Sequence, residues 1–271
     1  MFFASDNSGP VHPQVMDALA EANSGFTMAY GADPLMDEVR TRLREVFEAP
    51  DAAIYLVATG TAANSLALAT MCQPYETVFC SPTAHIHEDE CNAPEFYSGG
   101  AKLTLVAGSD KMTPDALRGA IAGEETRGVH GPQRGPVSIT QVTERGSVYT
   151  LDELNALTAT AREFDLRVHL DGARFANAMV ALGCTPAEMS WKAGVDVLSF
   201  ESSNLGMLEV DLLLEQGLVE EALTQAISGD LGAFHRMMTV LERPFEVQDG
   251  AGRYAEPAPA DAAPYVTFCG T

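Results

Sequence analysis

Between residue 13 and about residue 200 the chain alternates two hydrophobic patterns. One repeats an apolar residue every three or four positions. The other is a short unbroken run of apolar and β-branched residues. Helices interleaved with buried strands are the expectation, which makes this an α/β domain with a mainly parallel sheet. In PLMDEVRTRLREVFEA, Met36, Val39, Leu43, Val46 and Phe47 fall on one helical face with charges opposite, so the segment reads as an amphipathic helix against the sheet. Asp33-Pro34 supplies its start. The predicted strands are AIYLVA (53–58), TVFC (77–80), LTLV (103–106), PVSITQ (136–141), RVHL (167–170) and VDVLSF (195–200). Helix-length segments such as 113–123 and 150–164 separate most of them, and no stretch of the chain repeats.

Past residue 200 the rhythm stops. Residues 208–245 read as two or three helices divided at Gly217 and at 228–230, with no strand pattern between them. Residues 255–264, AEPAPADAAP, form a Pro/Ala-rich extended segment. The expected organisation is one domain over 1–200 and a divergent helical segment with an extended tail over 201–271.

With 271 residues and 46% hydrophobic content, the chain has enough apolar material for a sizeable core. A formal net charge of −22 argues against nucleic acid or an anionic membrane surface as partner, because both would be repelled over most of the protein. Small-molecule chemistry is the better expectation. The five cysteines form no CxxC pair and no zinc-like spacing, which fits reduced thiols in a cytoplasmic protein. The first residues, MFFASDNSGP, lack the basic and apolar regions of a secretory signal, and no apolar run approaches membrane-spanning length.

Four segments carry candidate chemistry. In VATGTAANSLALAT (57–70), Thr59, Gly60 and Thr61 stand between a predicted strand and a helix, where backbone N–H groups and hydroxyls can converge on a phosphate; a plain threonine helix cap is the alternative. In RVHLDGARFANA (167–178), Asp171 lies just past a buried strand, at the end where ligands of open α/β sheets collect. It can pair with a protonated ring nitrogen or simply cap the next helix. Arg174 offers a fork for a carboxylate or an oxygen of a cofactor, or else a surface ion pair. His85 and His87, at i, i+2 in TAHIHEDECNAPEFYSGG (83–100), point to opposite faces if the segment is a strand, which makes a metal site a poor fit. One of them can instead stack on a flat cofactor. His130 precedes a strand and can approach the same crevice, but a lone histidine is more often structural.

Taken together, SDNSGPVHPQVMDAL (5–19), AYGADP (29–34), ATGTAAN (58–64), AHIHEDECNAPEFYSGGAKL (84–103), the run from Val129 to Leu154, VHLDGARFANA (168–178) and VDVLSF resemble the low-specificity threonine aldolases. These are fold-type-I pyridoxal-phosphate enzymes that cleave β-hydroxy-α-amino acids to glycine and an aldehyde. The resemblance implies a large domain with a seven-stranded, mainly parallel sheet, pyridoxal 5'-phosphate as cofactor, and a homodimer or homotetramer. It also implies roles. Thr59, Gly60 and Thr61 would hold the phosphate, His85 would stack on the pyridine ring, and Asp171 would pair with its nitrogen. Arg174 would bind the substrate carboxylate with Ser5 and Asn7 nearby, and His130 would belong to the base for retro-aldol cleavage.

The same family requires a lysine that joins the cofactor's aldehyde. The pattern SFGGTKNG laid on SFESSNLG puts Asn204 at that lysine, and the chain's lysines are only Lys102, Lys111 and Lys192. Asparagine cannot form the imine, so the expectation is aldol cleavage of L-threonine, L-allo-threonine or related amino acids in impaired form, with a non-catalytic binding or assembly protein as the alternative. Residues 220–271 resemble the carboxy-terminal tail of the selenoprotein-O-like protein adenylyltransferases through their PF…Y…P…FCGT layout.

Overall fold

The computed structural model describes residue 11, residues 13–200, Gln225, Ser228 and residues 230–242. Two compact units divide the chain. One comprises residues 25–143 and 147–201; α1 (Pro13–Ala22) and a helix at Gly232–Glu242 belong to the other. Ser5, Asn7 and Asn204, the Pro/Ala-rich tail and most of the predicted carboxy-terminal helices lie outside the described residues. Among the described residues no helix is long and apolar enough to cross a membrane.

The unit of residues 25–143 and 147–201 is built on five parallel strands: β1 (Glu76–Cys80), β2 (Lys102–Leu105), β3 (Gln133–Thr140), β4 (Val168–Gly172) and β5 (Val197–Phe200), in the order β2-β1-β3-β4-β5. Local chemistry starts the helices between them. Asp33 accepts from Met36 N at 2.9 Å ahead of α2 (Pro34–Val46), and Thr113 accepts from Ala116 N at 3.3 Å ahead of α6 (Pro114–Gly123). Thr150 and Glu153 close a capping box on α7 (Leu151–Arg162). Each cap satisfies N–H groups that a first helical turn leaves without intrahelical partners.

Strand alternation separates the two faces of the sheet. Phe79, Val137, Ile139, Val168 and Leu170 join a large core with Leu117 and Ile121 of α6 and Leu154, Leu157 and Ala161 of α7. On the opposite face Val78 and Cys80 pack with Leu68 of α3 (Gly60–Met71). Helices therefore cover both faces, as a parallel sheet requires.

Three expectations need correction. Residues 53–58 form no strand, and Tyr55 and Leu56 are 84% and 67% exposed. A strand is a pairing rather than a local conformation, and no described segment offers this one a ladder partner. The sheet accordingly has five strands among the described residues instead of seven. The apolar stripe of α2 is only partly covered: Met36 is buried, Val39, Leu43 and Phe47 are half-buried, and Val46 is exposed. Finally, His85 and His87 lie on a single helical turn, α4 (His85–Glu88), not on a strand.

Candidate functional site

The carboxyl-terminal ends of β1 and β4 and the start of α3 carry most of the described candidate residues. Asp171 is the fourth residue of β4, in register with Thr140 of β3 and Ser199 of β5, and only 3% exposed. Alternation turns it away from the large apolar core, toward the face that α3 covers. Gly172 follows because no side chain fits there: a Cβ would stand 2.8 Å from the Ser199 carbonyl oxygen and 2.9 Å from Leu198 Cδ1. Asp171 Oδ1 accepts from Ala173 N at 3.1 Å, and Oδ2 accepts from Asn64 Nδ2 at 2.9 Å. Both oxygens are thus oriented by the protein, and each retains a lone pair for a further donor.

Asn64 comes from the first turns of α3, and its Nδ2 also donates to Glu90 Oε1 at 2.8 Å. That same oxygen lies 2.9 Å from His85 Nδ1. Glu90 stands just beyond α4, its side chain fully buried, and burial pushes its carboxyl above the ordinary range despite bonds from His85 and Asn64 that pull it down. His85 retains partial exposure, with 23% of its side chain open. Asn64 Oδ1 and Glu90 Oε2 are buried with no hydrogen-bond partner among the described residues. Neither Asn64 nor Glu90 belongs to a pattern the sequence reading used. Their signal, a polar residue on the buried side of a helix and one acid among several, is too common to stand out.

The phosphate candidates sit at the start of α3. The Thr59 hydroxyl accepts from Ala62 N at 3.1 Å, so it serves as the helix cap that was the alternative reading. Ala63 N bonds to the Thr59 carbonyl at 3.0 Å, which leaves the Gly60 and Thr61 N–H groups as the orphan donors of this twelve-residue helix. Arg174 is buried at 9% exposure beside the start of α8 (Phe175–Leu182).

His130 belongs elsewhere. It ends a short turn at Gly128–His130, exposed, just before the amino-terminal end of β3. Because β3 and β4 are parallel and Thr140 pairs with Asp171, the eight residues of β3 separate the two, roughly 25 Å at strand rise. Preceding a strand put His130 at the wrong end of the sheet for the crevice. Two of the lysines also stand at that amino-terminal end, and the third is engaged by other groups. Lys102 opens β2, and Lys192 donates to Glu48 at 2.6 Å ahead of β5. Lys111 donates to Glu153 at 2.6 Å and to the Val148 carbonyl at 3.0 Å, over the Tyr149 ring.

A buried carboxylate at a strand end, a helix amino terminus and a partly open histidine are carried by a parallel sheet with helices on both faces, an α/β architecture shared with solved fold-type-I pyridoxal-phosphate enzymes. A solved threonine aldolase from Leishmania major superposes with a TM-score of 0.65 at 29% identity, over 69% of this chain and 54% of that one. The beta-eliminating lyase family model matches residues 3–226, and the chain belongs to that family. A low-specificity L-threonine aldolase of Pseudomonas aeruginosa is 46% identical over 222 residues, 81% of this chain and 63% of the relative. The chain therefore spans somewhat less than two thirds of the length of that relative. A separate likeness covers 53 residues, 53% identical to a protein nucleotidyltransferase YdiU of Sphingopyxis alaskensis; it takes in 20% of this chain and 11% of that protein.

Proposed function

We propose that this chain carries the cofactor site of a threonine aldolase, for pyridoxal-phosphate-dependent cleavage of L-threonine, L-allo-threonine or related β-hydroxy-α-amino acids to glycine and an aldehyde, and that Asn204 at the lysine position impairs turnover. The observation that carries the reading is Asp171, buried at the end of β4 with both oxygens oriented and lone pairs to spare. These residues fit the cofactor: Asp171 would take the pyridine nitrogen, His85 the ring face, Gly60 and Thr61 with the capping Thr59 the phosphate, and Arg174 the substrate carboxylate. The unpartnered Asn64 Oδ1 and Glu90 Oε2 add polar capacity beside them. When bound, pyridoxal phosphate supplies an electron sink for the pair released as the Cα–Cβ bond breaks. The protein's part is to hold that ring and the carboxylate of the substrate. No described residue is assigned as the base, since His130 stands at the opposite end of the sheet.

The assembly is proposed as a homodimer or homotetramer. Phe26 and Tyr30 are fully exposed and Tyr55 is 84% exposed, rings that a partner subunit would cover.

Purified protein incubated with pyridoxal phosphate, treated with borohydride and digested should give no reduced lysine adduct. Glycine release from L-threonine should be near background, and Asn204→Lys should raise it by about a hundredfold or more, as restoration of a covalent residue does. A wild-type chain that turns over with a lysine adduct would sink the impairment. A second reading, a non-catalytic binding or assembly protein, is favoured by Lys102 and Lys192 standing at the amino-terminal end of the sheet and Lys111 being bonded to Glu153 and the Val148 carbonyl. Asn204→Lys protein that binds the cofactor covalently yet remains inert would select it.

A further inference from the structure

Asn64 joins two acids through one nitrogen. Its Nδ2 carries two hydrogens, and both are used: one on Glu90 Oε1 at 2.8 Å, the other on Asp171 Oδ2 at 2.9 Å. The amide orientation follows from these partners, because the flipped form would set an acceptor against two carboxyl groups. Glu90 Oε1 then meets His85 Nδ1 at 2.9 Å. A continuous path His85–Glu90–Asn64–Asp171 thus links the turn after β1, the buried side of α3 and the end of β4.

Folding alone does not favour this arrangement. Two carboxyl groups held around one amide, at 4% and 3% exposure, carry desolvation and mutual repulsion that an apolar contact at the same place would avoid. Such groups persist where they organise a site.

We propose that Asn64 and Glu90 are positioning residues for the cofactor: Asn64 turns the Asp171 carboxylate, Glu90 turns the His85 ring through Nδ1, and the two ring-contacting groups are set as one hydrogen-bonded unit. The proposal rests on the reading of Asp171 and His85 given above. Through it, the ring nitrogen contact and the ring face contact cannot be misaligned independently.

The test is direct titration of the full-length protein with pyridoxal phosphate, read as a dissociation constant by equilibrium dialysis and as the induced circular dichroism of the bound chromophore. Asn64→Ala and Glu90→Ala should each weaken binding about ten- to a hundredfold, the scale of one hydrogen bond to a charged group, and reduce the dichroic band. Glu90→Gln keeps an oxygen that accepts from both His85 and Asn64, so it should bind within about threefold of wild type and recover the band. Alanine variants that bind like wild type would overturn the proposal, as would a glutamine variant as weak as the alanine one. Asp171→Asn and His85→Ala separate the two levels. If they weaken binding while Asn64→Ala and Glu90→Ala do not, the positioning role alone falls; if wild type binds nothing, both ideas fall together. Nitrogen NMR of the wild-type protein without cofactor requires no variant to fold. It should show His85 protonated at Nδ1, and a ring protonated only at Nε2 would overturn the proposal.

Discussion

The two faces of β3 and β4 are made from alternate residues of the same short segments and have opposite chemistry. Val137, Ile139, Val168 and Leu170 point into the large core, all fully buried and all apolar. Ser138, His169 and Asp171 line the other face, with Ser199 of β5 beside them, all buried and all polar. There His169 is bonded on both sides, its Nδ1 2.9 Å from Ser138 Oγ and its Nε2 2.9 Å from Ser199 Oγ, and the row ends at Asp171. The difference shows how one strand can contribute stability with one set of side chains and a site with the other. Burial is common to both faces; only hydrogen-bond satisfaction makes the polar one affordable.

The comparison is broken most severely from the apolar side. Leu170→Ala should lower unfolding free energy by about 2–5 kcal/mol, read from urea midpoints, because it opens a cavity between the sheet and its helices. If the site truly belongs to the other face, a folded Leu170→Ala protein should still bind pyridoxal phosphate like wild type.

The polar face is sharpened by pH. Burial holds the His169 imidazole down at about 4 from its ordinary 6.5, against a weaker opposite pull from Asp171. Between those values the unfolded chain takes up a proton that the folded one refuses. Stability from this residue is therefore complete above pH 6.5 and lost as the pH falls toward 4, by roughly 3 kcal/mol in all. Urea midpoints measured from pH 7.5 down to 4.5 should show that fall, and His169→Gln should flatten it. An unchanged slope in the variant would assign the acid sensitivity elsewhere.

The smallest effect belongs to neither face. Arg118 donates through two nitrogens to Glu163 at 2.8 Å, joining α6 to the residue after α7 on the exterior of the unit. The pair is open to water and screened, so Glu163→Ala should leave the urea midpoint unchanged within error, whatever the salt concentration.

Much of this was legible in the chain. The alternation of patterns marks five of the six expected strands, and Asp33-Pro34 marks a helix start that the cap then confirms. Asp171 was readable because a carboxylate immediately after a buried run lands at a sheet's carboxyl-terminal edge. What escaped was long-range. Asn64 meets Glu90 and Asp171 across 26 and 107 residues, a separation at which no pattern in sequence signals contact. His130 was misplaced for a related reason: preceding a strand says which end of that strand a residue occupies, but not which end the site uses.

The sequence by itself determined the local decisions, namely which segments coil, where they start, and which alternate residues of a strand are apolar, because those depend on neighbours a few positions away. Only the tertiary structure decided pairing. Tyr55 and Leu56 sit in a run as apolar as any true strand, yet they form none, because a ladder needs an edge from another part of the chain and none is supplied among the described residues. Asn64, inconspicuous within an ordinary helix, gained its place between two acids because α3 covers the face of the sheet on which Asp171 stands. Backbone hydrogen bonds within a helix close over four residues, whereas a sheet and a site close over distances that only the folded chain brings together.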